Sequence, residues 1–214
     1  MTVTVIKEAV NDSRCHKESK SQMSRWPPDS AARLKASALA LFAARGFAAV
    51  TTAEVAAAAG MSERTFFRHF KAKEDVLFED YSDVRAALTS AVADAPRGAS
   101  PRALMQAVAD LLESRFADQR AEHRAFAEVV GREPTLRARA ALRDQDWGEA
   151  VAEGFARRGF GKRDAALIAA LTTAAFRFVY DEWLADDAAT GLAARFAGAS
   201  AEFDTVLEQK APAR

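Results

Sequence analysis

Leu34, Ala38, Leu41 and Phe42 repeat at i, i+4, i+7 and i+8, the spacing that lines one face of an α-helix. That stripe predicts a first helix beginning near Asp29 or Ser30. Gly46 ends it, with Phe47 placed to fold back on the last turn. Thr51, with Glu54 three residues later, forms a capping box for a second helix, which Gly60 terminates in a left-handed turn. Ser62 caps a third helix, and Met61 and Phe66 occupy the two positions of a hydrophobic staple across that cap. A long fourth helix is expected from Lys73 to about Ala95, with Val76, Leu77, Phe78, Tyr81, Val84 and Leu88 as its buried stripe. Pro96-Arg97-Gly98 breaks it, and Ser100-Pro101 is a cap followed by a first-turn proline. Further helices are expected over 101–117, 120–131, 134–158, 163–186 and 188–209, with glycine or proline at most joints. No segment shows sustained period-two alternation with β-branched enrichment, so the predicted class is all-α, with about nine helices and no internal repeat.

Two short helices joined across a glycine turn, at residues 51 to 70, form a helix-turn-helix signature, in which the second helix enters the DNA major groove. The formal net charge of zero argues against nucleic acid, but the distribution is uneven. Residues 1 to 72 carry 11 Lys and Arg against 6 Asp and Glu, and the remaining chain carries 19 against 24. A basic first third on an acidic remainder fits a DNA-contacting head on a body that avoids DNA; chance fluctuation is the alternative. The organisation that follows is a flexible extension over 1–28, a DNA-binding head over 29–72 and a helical body over 73–214. Lys7, Arg14, Lys17, Lys20 and Arg25 leave open a second reading of the extension, as a basic arm along DNA.

Other chemistry is sparse. Cys15 is the one cysteine, which excludes an internal disulfide and a cysteine-based zinc cage, and His16 beside it does not complete a metal site. Glycine-rich phosphate loops, a nucleophile elbow and paired metal-binding histidines are missing, so neither enzyme activity nor a cofactor is expected. Glu122-His123 reads as a solvated or structural pair. No apolar run approaches the roughly 20 residues that span a bilayer, and the N-terminal stretch lacks a signal peptide's apolar core, so a cytoplasmic location is expected.

Residues 38–47 (Ala-Leu-Ala-Leu-Phe-Ala-Ala-Arg-Gly-Phe), Thr51-Thr52, Ala56 with Gly60, the run Ser62 to Phe70, and Lys73-Glu74-Asp75-Val76-Leu77 together resemble the TetR family of bacterial transcriptional repressors. The likeness covers about residues 30 to 78. It implies a homodimer that sets two reading helices in successive major grooves of a palindromic operator, and a small effector that controls binding. By this resemblance Thr51, Thr52, His69 and Lys73 are backbone clamps, and Ser62, Glu63, Arg64 and Thr65 open the reading helix. Arg64 is the base-reading candidate, and Arg68 reads a base or binds phosphate. Phe67 replaces the family's usual tyrosine and loses a hydroxyl-to-phosphate bond, while Ala72 replaces a capping serine.

The resemblance also places an effector pocket in the body. Met105, Phe116, Phe126, Trp147 and Phe155 are candidates for its apolar wall, with His123, Arg177 and Tyr180 as polar anchors; plain core packing is the alternative for each. On the last two long helices Leu167, Leu171, Ala174 and Phe178 pair with Leu192, Phe196, Phe203 and Val206 as the expected dimer surface. The Arg-Thr-Phe-Phe-Arg-His-Phe run with a Trp147-bearing seventh helix is similar to the mycofactocin-repressor branch, which implies an acyl-CoA or fatty-acyl effector. An all-α protein-binding scaffold with a non-functional head stays open as the other reading.

Overall fold

In a computed structural model, residues 30–78 and 82–208 are described, and nine α-helices and no strand are found among them. The helices are α1 (Ser30–Arg45), α2 (Thr52–Ala58), α3 (Glu63–His69), α4 (Ser82–Ala93), α5 (Pro101–Phe116), α6 (Arg120–Arg132), α7 (Pro134–Arg157), α8 (Lys162–Ala185) and α9 (Leu192–Glu208). The all-α class holds, and the expected joints fall within a few residues of those observed. The extension over 1–28 and Tyr81 lie outside the described residues.

Local chemistry sets the ends of α2 and α3. Thr51 Oγ1 accepts from the Glu54 N–H while the Glu54 carboxylate accepts from the Thr51 N–H, closing the capping box. At the other end the Met61 N–H donates to Ala56 and the Gly60 N–H to Ala57, a Schellman closure that sets Gly60 at φ +70°. Arg33, on α1, donates to the Ala59 carbonyl at 2.6 Å and satisfies one more orphan of that terminus. Ser62 Oγ accepts from the Thr65 N–H to cap α3.

The fourth element departs from expectation. Lys73–Val76 is a 3₁₀ turn, and α4 is assigned only from Ser82. Ala72 supplies no side-chain cap; instead the Asp75 carboxylate accepts from the Ala72 N–H at 2.8 Å. A chain entering without a capping side chain is tightened into i→i+3 bonds by that carboxylate.

Three groups of buried side chains organise the molecule. The first joins Leu34, Ala38, Leu39 and Phe42 of α1 to Val55 and Ala56 of α2, Phe66 of α3 and the following Phe70, Val76 and Leu77. It also includes Val129 and Val130 of α6 and Leu136 and Ala140 of α7. Leu39 is buried and Leu41 only half-buried, so the α1 stripe is rotated slightly from the one predicted. The second group fills the body with side chains of α4, α5, α7, α8 and α9 around Phe155 and Trp183, and a small third group joins α5, α8 and α9 through Ala109, Val179 and Phe196.

Helices α4 and α7 pack in close contact. A Cβ built at Gly154 would sit 2.7 Å from Val92 Cβ and 2.8 Å from the Thr89 carbonyl, and Thr89 Oγ1 donates across the same seam to Ala150 O. Only the missing side chain allows this approach. Gly154→Ala is therefore expected to overpack the seam by about 1–3 kcal/mol and lower the melting temperature by roughly 2–12 °C. Thermal unfolding of the variant checks this, and an unchanged melting temperature rejects the close-contact account.

Candidate nucleic-acid interface and effector cavity

Helix α3 has only seven residues, too few to be stable alone. Phe66 and Phe70 bury their rings in the first core, and their centroids are 5.4 Å apart. That anchoring turns Glu63, Arg64, Phe67, Arg68 and His69 outward. Arg64 has no hydrogen-bond or ion-pair partner among the described residues. Thr52 Oγ1 donates to the Glu63 carboxylate at 2.5 Å, which ties the start of α2 to the start of α3. Arg68 Nη2 and His69 Nε2 lie 3.2 Å apart.

Two of the residues expected at the DNA surface are used internally. Thr65 is buried, its hydroxyl 3.0 Å from Ser62 Oγ, so it stabilises the cap and cannot reach a base edge. The half-buried Lys73 donates from Nζ to the carbonyls of Phe47 (2.8 Å) and Val50 (2.9 Å), with the Phe47 ring centroid 4.2 Å away. Its charge holds the loop between α1 and α2. Thr51 is exposed, but its hydroxyl is committed to Glu54. The Glu54 carboxyl is lowered to about 2, chiefly by the Thr51 N–H and then by Arg45. Ser62, Glu63, Arg64, Phe67, Arg68, His69, Thr51 and the half-buried Thr52 are thus left as the candidate surface.

A cavity of about 130 Å³ opens in the body. Phe116, Phe126, Trp147 and Phe176 give it aromatic walls, and Leu88, Val108, Leu112 and Val151 an aliphatic floor. His123, Arg177 and Tyr180 line it too, so the cavity gathers six of the eight predicted pocket residues. Met105 and Phe155 do not line it. Met105 packs among α5, α8 and α9, and Phe155 is fully buried against Phe160, because both sit on helix faces turned toward other neighbours.

Sequence reasoning missed Lys35, Arg143 and Asp144 as lining residues. Arg143 sits over the rings of Trp147 (4.8 Å) and Phe126 (5.4 Å), a stacked arrangement suited to a planar guanidinium. Asp144 pairs with both Arg143 (2.8 Å) and Arg177 (3.3 Å). The signal available was the i, i+4 spacing of Arg143 and Trp147, which puts cation and ring on one helix face. Glu122, read as solvated or structural, forms an ion pair with Lys35 at 2.7 Å. That pair brings the head's first helix into the cavity wall.

His123 Nδ1 lies 2.8 Å from the Tyr180 hydroxyl, with the Phe116 ring centroid 4.3 Å from its own. Burial lowers its pKa to about 4; Glu122 opposes the shift, and Lys35 and Arg143 reinforce it. The imidazole is neutral at pH 7.

The expected dimer stripe divides. Leu167, Leu171, Ala174 and Phe178 share one exposed face of α8, and Phe203 and Val206 are exposed on α9. Leu192 and Phe196 instead are each 1% exposed, inside this chain's own core. The N-terminal half of α9 packs on α5 and α8, which takes those two residues out of any outward surface. Among the described residues no helix is long and apolar enough to cross a membrane, and no group of three metal-ligating side chains is found.

The model for bacterial regulatory proteins of the tetR family matches residues 34–79, and that for the MftR C-terminal domain matches residues 99–208. The chain is similar to the mycofactocin biosynthesis transcriptional regulator designated MftR in Mycobacterium tuberculosis. They are 28% identical over 153 residues, 70% of this chain and 77% of that one. It is also 32% identical to the HTH-type transcriptional regulator TcmR of Streptomyces glaucescens over 115 residues, 51% of each chain. Among solved structures, Thermus thermophilus FadR, a TetR-family transcriptional repressor in complex with lauroyl-CoA, shares the fold. Its TM-score is 0.53 at 24% identity, over 86% of this chain and 98% of that one.

Lys73→Met is expected to cost about 1–3 kcal/mol of stability through its two lost carbonyl bonds. The slope of DNA affinity against salt should stay unchanged, whereas loss of a phosphate clamp lowers it by about 0.9. A salt titration beside a thermal melt separates the two roles.

His123 gives a pH signature. Its folded pKa lies below the ordinary 6.5, so the unfolded chain takes up a proton that the folded chain refuses. Stability is therefore expected to fall as pH drops from about 6.5 to about 4, and His123→Phe should flatten that part of the curve. Melting temperatures across this window test it; an identical slope in the variant excludes His123 as the source.

Proposed function

The chain belongs to the TetR family of bacterial regulatory proteins and is a transcriptional regulator, and we propose that it represses by binding a palindromic operator as a homodimer, until an effector releases it. In this reading residues 29–72 are the DNA-binding head and residues 73–214 the effector-binding and dimerisation body. Arg64 reads a base edge, for which a bidentate contact to guanine is worth about 1–3 kcal/mol. Ser62 and Glu63 open the reading face beside it, Arg68 reads a base or binds phosphate, and Thr51, Thr52 and His69 position the head on the backbone.

One observation carries the regulatory part. The cavity in the body is lined in part by Lys35, a residue of the head's first helix, held by Glu122 of α6. A ligand that displaces α6 or competes for Lys35 acts on the head through that ion pair. Two further ties favour movement of the head with α6 and α7. Arg132 reaches the Ala43 carbonyl, and Arg139 pairs with Asp75 beside the 3₁₀ turn. Against the desolvation that burial imposes on Asp75, the Arg139 hydrogen bond and the Ala72 N–H still lower its pKa.

The effector is an apolar molecule of acyl type, either a fatty acyl group or an acyl-CoA. Aromatic walls favour a hydrocarbon, and Lys35, Arg143 and Arg177 outnumber Glu122 and Asp144 around the rim, which favours an anionic end. The present cavity holds only a few carbons of such a chain, so binding must open it further. That requirement is consistent with a ligand-driven displacement. Dimerisation through Leu167, Leu171, Ala174 and Phe178 of α8 with Phe203 and Val206 of α9 is supported by their exposure on adjacent helices, an arrangement that two copies can close into a four-helix bundle.

Selection of bound sites from random duplexes by the full chain tests the reading. Expected are palindromic sites with half-site centres about 34–36 Å apart, and steeply salt-dependent binding. Phe178→Glu should give a folded monomer by sedimentation that no longer holds the palindrome, and long-chain acyl-CoA should raise the melting temperature while releasing the duplex. Sequence-blind or salt-insensitive binding rejects the operator model; a dimeric Phe178→Glu rejects the interface.

A further inference from the structure

Phe67 is 51% exposed, although Phe66 and Phe70 on either side of it are buried. Its ring meets Phe66 edge-on, with centroids 5.5 Å apart and planes at 82°. A buried neighbour therefore props the ring on the outer face of α3. Arg64 stands three residues earlier on the same face, exposed and with no partner among the described residues.

A phenylalanine has no atom that can bond a phosphate, so the DNA groups it can satisfy are apolar. In the major groove the base edges offer one such group, the thymine 5-methyl. The remaining apolar group, the deoxyribose, carries no sequence information. Phe67 shares its face with Arg64, whose guanidinium suits a base edge, so the ring stands on the side of α3 that would enter the groove.

We infer that Phe67 is a specificity-determining residue that reads a thymine methyl in each half-site, beside the base read by Arg64. Three residues of helix rise about 4.5 Å, against about 3.4 Å between successive bases of one strand. The thymine therefore lies one or two steps from the base that Arg64 contacts. This inference rests on α3 being the groove helix.

Deoxyuridine differs from thymidine only by that methyl. In the duplex selected by the full-length protein, each thymine of the half-site is replaced in turn by deoxyuridine, and binding is measured for the unaltered protein and for Phe67→Ala. One symmetry-related position is expected to weaken the unaltered protein about fourfold per half-site, the worth of one buried methyl-sized group. Phe67→Ala should bind the two duplexes equally, with its folding checked by thermal melting. Phe67→Leu, which keeps an apolar surface, should retain part of the discrimination. A silent deoxyuridine scan overturns the inference, as does a penalty that persists in Phe67→Ala or a selected half-site without thymine. If Arg64→Ala changes the selected sequence while the scan is silent, only the role of Phe67 fails; if neither substitution alters selectivity, the groove assignment of α3 fails with it.

Discussion

Everything at the candidate DNA surface depends on burying Phe66 and Phe70. A seven-residue helix is too short to be stable in water alone, and α3 exists because two of its neighbouring rings have somewhere to go. That place is a core built by α1 and α2 together with Val129, Val130, Leu136 and Ala140 from α6 and α7. The head therefore does not pack on itself alone. Its interior is completed by the two helices that also form part of the cavity wall. Any displacement of α6 or α7 alters the environment that fixes α3.

The polar ties follow the same line. Lys35 with Glu122, Arg132 with the Ala43 carbonyl, and Arg139 with Asp75 connect the head to α6 or α7 around the edge of that shared core. Such partly exposed pairs contribute modestly to stability. Their value lies in position. Each restricts how the head sits against α6 and α7, and Lys35 does so from the cavity itself. The cavity's charges are paired, with Asp144 between Arg143 and Arg177 and Glu122 on Lys35, which leaves one cation in excess, and its histidine is kept neutral by burial.

Particular residues show how far a one-dimensional pattern reaches. Caps are local, and Thr51 with Glu54, Gly60 and Ser62 do what their spacing implies, because each bond closes within a few residues. The cavity was legible in part. Phe116, Phe126, Trp147 and Tyr180 are large side chains on helices that pack together, but Phe155 has the same sequence character and is buried elsewhere. Lys35 was invisible as a lining residue, since nothing around it indicates a partner 87 positions away. Lys73 misled for a related reason. The resemblance marks it as a clamp, whereas the carbonyls of Phe47 and Val50 hold its ammonium.

The sequence by itself determined the all-α class, the caps of α2 and α3 and the helix-turn-helix, though not the start of α4, because hydrophobic period, caps and glycine turns act through bonds and contacts close along the chain. Tertiary structure alone decided which apolar stripes turn inward. Leu192 and Phe196 went into the core while Phe203 and Val206, on the same helix, stayed outside. It also decided which polar side chains stay available, leaving Arg64 exposed and spending Thr65 and Lys73 on internal bonds. The physical reason is common to both: burial and pairing are set by what a distant helix brings alongside, and a residue's own neighbours in sequence do not carry that information.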